Sequence, residues 1–104
     1  MTTNDVLAIF ADVFKTTPEA IRRASGPGAR HFQRVRWAVL DVVADRYAAR
    51  ACTASNDQGN GYAARELNLD KSTVYDARRS LKDLCTRDPV FRNKVELATS
   101  RCIG

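Results

Sequence analysis

The chain has 104 residues, enough for a single domain with a modest hydrophobic core and too few for a nucleotide-driven motor beside a second module. Its 17 Lys and Arg against 12 Asp and Glu leave a formal charge of +5, an excess that favours a polyanionic partner. The opening Met1–Leu7 has no basic segment leading into an apolar one, and no apolar run approaches the roughly 18–20 residues of a membrane span, so a cytoplasmic protein with no membrane partner is expected. Cys52, Cys85 and Cys102 are widely spaced, and His31 is the single histidine. That pattern lacks the paired ligands of a zinc site, so the expectation is incidental thiols in a reducing compartment, with no metal and no cofactor.

Every long segment carries a helical period. A first helix is expected from Asp5 to about Lys15, capped by Asn4, with Val6, Ile9, Phe10, Val13 and Phe14 on one face. Thr17-Pro18-Glu19 then opens a short helix: Thr17 caps it, Pro18 suits its first position, and Glu19 complements the helix dipole. It ends near Ala24, because Ser25-Gly26-Pro27-Gly28 cannot continue it. A long third helix from about Arg30 to Arg50 repeats Phe32, Val35, Val39, Val42, Val43 and Tyr47, with Trp37 and Leu40 widening the apolar stripe. The polar stretch from Cys52 to Gly61 reads as an exposed loop. Shorter helices follow over about Tyr62 to Leu67 and Lys71 to Thr86, and Asp88-Pro89 opens the last one. The expected fold class is all-α: one domain over residues 1–104, a compact bundle of about six helices.

The informative stretch runs from Gly61 to Leu81 and reads as a helix-turn-helix. Ala64 supplies the small residue where two steeply crossing helices approach. Asn68, four residues on, tolerates the left-handed conformation of the turn, with Leu67 and Leu69 pointing inward beside it. Asp70 is expected to cap the second helix through the N–H of Ser72 or Thr73, while Val74, Ala77, Leu81 and Leu84 bury its inner side. Its outer side then carries Lys71, Ser72, Thr73, Tyr75, Arg78, Arg79 and Lys82. In this motif the first residues of the second helix enter the major groove, where hydroxyls and cations read base edges or hold phosphates. A second basic element comprises Arg22, Arg23, Arg30, His31, Arg34 and Arg36, with no acid between Arg22 and Arg36. A cluster of this kind neutralises phosphates, and its Gly26-Pro27-Gly28 bend could follow a backbone or enter a minor groove.

These residues resemble the C-terminal, origin-binding domain of the bacterial replication initiator DnaA, over roughly Asp5 to Ala98. Val6 through Ile21 is similar to that family's opening helix and short follow-on helix, and Arg22 through Leu40 to its basic loop and long helix. Asp70-Lys71-Ser72-Thr73-Val74 looks like its Asp-His-Ser/Thr-Thr-Val signature, with Lys71 in place of the histidine. The resemblance implies that Lys71, Ser72 and Thr73 sit against bases or phosphates, that Arg23 or Arg30 serves the basic loop, and that Gln33 and Arg34 touch the DNA backbone. The chain contains no Gly-x-x-x-x-Gly-Lys-Ser/Thr, so ATP-driven origin opening is excluded for it alone. The expected function is therefore sequence-specific double-stranded DNA binding, by the helix-turn-helix and basic loop of a nucleoid-associated regulator of transcription or replication, through Arg22, Arg23, Arg30, Gln33, Arg34, Lys71, Ser72, Thr73, Tyr75, Arg78 and Arg79.

No catalytic residue is expected. His31 stands among arginines, Asp41 and Asp45 one turn apart read as a solvated face, and Cys85 falls on the inner side of its helix, where packing is its role. The rival reading is a protein-interaction module of the same fold, binding replication or transcription proteins or its own copy, with Trp37 or Tyr62 as anchor if either is exposed. Whether the chain acts as monomer or dimer is open at this level.

Overall fold

The computed structural model describes residues 2–24, 29–51 and 56–102. Among them are six helices and no strand: α1 (Thr3–Val13), α2 (Pro18–Arg23), α3 (Ala29–Ala51), α4 (Asn56–Leu67), α5 (Lys71–Arg87) and α6 (Pro89–Arg101). The all-α bundle read from the sequence is the fold observed. None of these helices is long and apolar enough to cross a membrane.

Two helix starts follow the capping chemistry expected of them. The Thr17 hydroxyl accepts from the Ala20 N–H ahead of Pro18, and the Asp88 carboxylate accepts from the Phe91 N–H ahead of Pro89. The first helix differs from expectation at its start. Thr2, not Asn4, is its cap, because Asp5 completes a capping box: Thr2 N–H donates to Asp5 Oδ2 at 2.8 Å and Asp5 N–H to Thr2 Oγ1 at 3.2 Å. Asn4 instead accepts a hydrogen bond from Arg22.

The largest correction concerns the stretch expected to be a loop from Cys52 to Gly61. Cys52–Ser55 lie outside the described residues, but Asn56 already begins α4. Gly59 and Asn60 are buried there, and a Cβ on Gly59 would stand 2.6 Å from the Ala44 carbonyl oxygen. A polar, glycine-rich sequence is helical here because the glycine lets two backbones pass closely and the asparagine finds a buried partner. Tertiary contact overrides weak local propensity.

The core is built on α3, whose Val35, Ala38, Val39 and Ala44 are fully buried. Val6, Leu7 and Phe10 of α1 and Ile21 of α2 cover one side of it. Ala63 and Ala64 of α4 and Val74 of α5 cover the other. Each large side chain fully removed from water contributes about 1.5–3 kcal/mol. Trp37 and Tyr62, the anchors considered for a protein partner, are both half-buried against this core, and Tyr62 stacks on Tyr47 with centroids 4.5 Å apart.

Packing fixes which ends of the helices lie together. Phe14, at the end of α1, meets His31 at the start of α3 and Phe91 at the start of α6, with centroids 6.0 and 5.4 Å away. At the other end of α1, Thr3 donates to Glu66 near the end of α4 at 2.6 Å. The turn into α5 therefore sits beside the start of α1, and α5 finishes beside the starts of α3 and α6.

Candidate nucleic-acid interface

The link from α4 to α5 has the geometry its residues dictate. Asn68 adopts φ 57°, the left-handed conformation that asparagine accepts more readily than other residues with a β-carbon. Leu69 N–H reaches back to the Ala64 carbonyl at 2.8 Å, closing the turn over the small residue at the crossing. Leu67 is buried and Leu69 packs against the core, so the turn is held from inside. Asp70 takes the backbone conformation of an N-cap, but its side chain makes no capping hydrogen bond. The expected bond to Ser72 or Thr73 is absent, and the first-turn N–H groups of α5 are left without that carboxylate.

Val74, Ala77, Leu81 and Leu84 bury the inner side of α5, as their spacing implies. Lys71, Ser72, Thr73, Tyr75, Arg79 and Lys82 are exposed. Arg78 departs from this pattern. Its side chain is only 16% exposed, and its guanidinium is held on three sides. Nε donates to Asp41 at 2.9 Å, Nη2 to Asp45 at 2.5 Å and Nη1 to the Asn60 side-chain Oδ1 at 2.8 Å. The acidic pair read as a solvated face is thus the anchor of a network joining α3, α4 and α5, and Arg78 is already occupied within the protein. Burial and the neighbouring Asp41 raise the Asp45 carboxyl above its ordinary value, against the opposing pull of Arg78 and Lys82. No sequence signal marked this pairing: the Asp41 and Asp45 side chains are 28% and 62% exposed, and it is the crossing of α5 that brings Arg78 to them.

The second basic element divides. Arg22, at the end of α2, donates to the Glu66 carbonyl at 3.2 Å and to Asn4 at 2.9 Å, which puts it beside the helix-turn-helix bend. Arg23 next to it is exposed. Arg36 does not face outward: it lies half-buried under α2, donates to the Arg22 carbonyl at 3.1 Å, and has no partner for Nε among the described residues. Burial lowers its pKa from the usual arginine value. Arg30, His31 and Gln33 are exposed and Arg34 half-exposed on the first turns of α3. Those turns lie toward the start of α6, since His31 and Phe91 both meet the ring of Phe14. The Gly26-Pro27-Gly28 bend lies outside the described residues.

Comparison with protein-family models, characterised proteins and solved structures finds no match. Asn60, Tyr75, Arg78, Arg79 and Lys82 line an open cleft of about 310 Å³ on the outer side of α5. Neither Asn60 nor Lys82 was among the site residues expected from sequence. Among the described residues no group of three or more His, Cys, Asp and Glu is placed to hold a metal ion. Cys85 and Cys102 are free thiols whose pKa values are raised, chiefly by burial.

Proposed function

We propose that the chain binds double-stranded DNA, with α5 as the recognition helix, and that it is a stand-alone relative of the DnaA origin-binding domain that regulates transcription or replication. One observation carries this reading: the first turn of α5 presents Lys71, Ser72 and Thr73 to solvent from a turn locked by the left-handed Asn68. Hydroxyls and a cation at the start of such a helix are the groups that reach base edges and phosphates in a major groove. Backbone N–H groups that Asp70 does not cap favour an anion at the same place. Arg22 and Arg23 beside the bend, and Arg30, Gln33 and Arg34 further along, supply contacts to the backbone. Arg78 belongs to the frame of this site and not to its contact surface.

Fluorescence anisotropy with labelled duplexes tests the reading. Binding is expected at low salt, weakening steeply as salt rises. Once a preferred sequence has been selected from random duplexes, Thr73→Ala is expected to cost about 1–3 kcal/mol on it and little on scrambled DNA. A chain that leaves duplex DNA unbound at low salt refutes the proposal.

A second reading has one observation in its favour. Val90 and Leu97 on α6 are 67% and 48% exposed, and seven residues apart they share one side of the helix. A protein-interaction module would use this side, since Trp37 and Tyr62 are half-buried. Substituting Val90 and Leu97 by Ser would then abolish capture of its partner and leave any DNA binding unchanged.

A further inference from the structure

The cleft beside α5 has a use that follows from its distance to the first turn. Ser72 and Arg79 are seven residues apart and Ser72 and Lys82 ten, which is roughly 10 and 15 Å along a helix. A major groove is about 12 Å wide. When the start of α5 touches base edges, its third and fourth turns therefore arrive at the rim of the groove, where the backbone phosphates are. Arg79 and Lys82 stand at those turns and Tyr75 one turn before them, with steps of four and three residues, so the three form one row.

The cations differ in availability. Arg79 has no ion-pair or hydrogen-bond partner among the described residues, and Lys82 feels Asp45 only as a more distant charge. Of the acids on the far flank of α5, Asp83 is held by Arg87 at 2.8 Å. Arg78, at the floor of the cleft, is saturated by two carboxylates and an amide. It brings no free charge to an incoming anion, but it fixes α5 against α3 and α4 and so sets where Arg79 and Lys82 point.

We propose that this cleft seats a phosphodiester of the DNA backbone at the groove rim, with Arg79 and Lys82 as its charge partners, Tyr75 along its wall and Arg78 as a positioning residue. The proposal rests on the DNA-binding reading and adds to it a second contact on the same helix. The phosphate is bound by opposite charge and hydrogen bonds, with no bond made or broken in it.

The test is the salt dependence of duplex binding by the full chain, measured for the wild type, Arg79→Ala, Lys82→Ala, their double variant and Arg78→Lys, with thermal unfolding of each. Arg79→Ala and Lys82→Ala should each reduce the slope of log K against log salt by about 0.9, which is roughly an eightfold loss of affinity at 0.1 M salt. The double variant should reduce it by about 1.8, and the melting temperature should not move in any of the three. Arg78→Lys, which keeps the charge but cannot make the three-sided contact, should lower the melting temperature and, by misplacing Arg79 and Lys82, reduce the slope toward that of the double variant. Wild-type slopes in both Arg79→Ala and Lys82→Ala would overturn the phosphate seat, and a wild-type slope and affinity in Arg78→Lys would overturn its positioning role. If Arg78→Lys fails to fold, the other variants still decide the seat. A wild-type chain that binds no duplex removes the seat together with the DNA reading, whereas duplex binding with unaltered slopes removes the seat alone.

Discussion

Replacing Gly59 and Gly61 by alanine, two residues apart on one helix, should move stability in opposite directions. In an exposed helix interior, glycine to alanine stabilises by about 1 kcal/mol, because alanine loses less backbone freedom. Gly61 is close to that case. A Cβ there meets only Arg65 Nη1 and Lys71 Cδ, both at 3.8 Å, which is ordinary contact with mobile side-chain ends. At Gly59 the new carbon would lie 2.6 Å from the Ala44 carbonyl oxygen and 3.3 Å from its carbon, both backbone atoms of the central helix. They cannot rotate away, so α4 must lift from α3 by several tenths of an ångström. Overpacking of this kind costs about 1–3 kcal/mol, more than the helical gain returns. Lifting α4 also pulls Asn60 from Arg78, removing a hydrogen bond worth about 1 kcal/mol. The net expectation for Gly59→Ala is a loss of about 1–2 kcal/mol, and for Gly61→Ala a gain of about 0.5–1 kcal/mol. At roughly 4–8 °C per kcal/mol for a domain of this size, Gly59→Ala should melt about 5–15 °C below wild type and Gly61→Ala a few degrees above it. Circular dichroism melts at fixed pH measure both. A Gly59→Ala protein as stable as wild type would show that α3 and α4 do not approach as described, and that the first turn of α4 is not packed.

Other variants examine the turn, the network and the thiols. Asn68→Val should cost about 1–2 kcal/mol in a thermal melt, because a β-branched residue resists φ 57°, while Asn68→Gly should be tolerated. Asp41→Asn should destabilise by about 1–2 kcal/mol, since it weakens the inner ion pair of Arg78 at a site 28% exposed. Asp45 has the opposite sign: its pKa is raised from 3.8, so its charged form opposes folding at neutral pH, and that penalty fades as pH falls through the folded value and then the unfolded one. Asp45→Asn, which keeps an acceptor for Arg78, should therefore melt no lower than wild type at pH 7, with any gain vanishing toward pH 3. Cys85 and Cys102, raised above 9.0 by burial, should resist iodoacetamide at pH 7.5 and react faster as the solution is made more alkaline, as read by mass spectrometry.

The sequence made the helices legible wherever a period and a cap coincided. Thr17-Pro18 and Asp88-Pro89 mark their starts almost to the residue, and Ala64, Asn68 and Val74 locate the helix-turn-helix, because each answers a local steric requirement. The first half of α4 was not legible, since its stability comes from a contact with Ala44 that no local pattern encodes. For the candidate site, exposure was read correctly for six of the outward residues of α5 and wrongly for Arg78. A period of 3.6 assigns a residue to a side of its helix, but it does not say which neighbouring helix crosses there. Arg78 lies between the buried inner row and the exposed row, where a long side chain turns toward whatever charge is near, and Asp41 and Asp45 are near. Arg36 shows the same effect: counted as part of a basic surface, it is half-buried and bonded to the Arg22 carbonyl.

The split of the basic residues between the two ends of α5 bears on the length of DNA the chain should cover. The molecule measures 37 × 26 × 26 Å, and at 3.4 Å per base pair its long dimension spans about 11 base pairs. A monomer that engages DNA with Lys71–Thr73 and with Arg30, Gln33 and Arg34 together can cover no more than about that length. Affinity for a series of duplexes should therefore rise sharply between about 8 and 12 base pairs and then level off. A rise that continues to about 20 base pairs, with half-maximal binding that sharpens with protein concentration, would mean two copies on one site. Affinity already complete at about 6 base pairs would mean that only one end of the bundle touches DNA, and the arginines at the start of α3 would then have no part in binding.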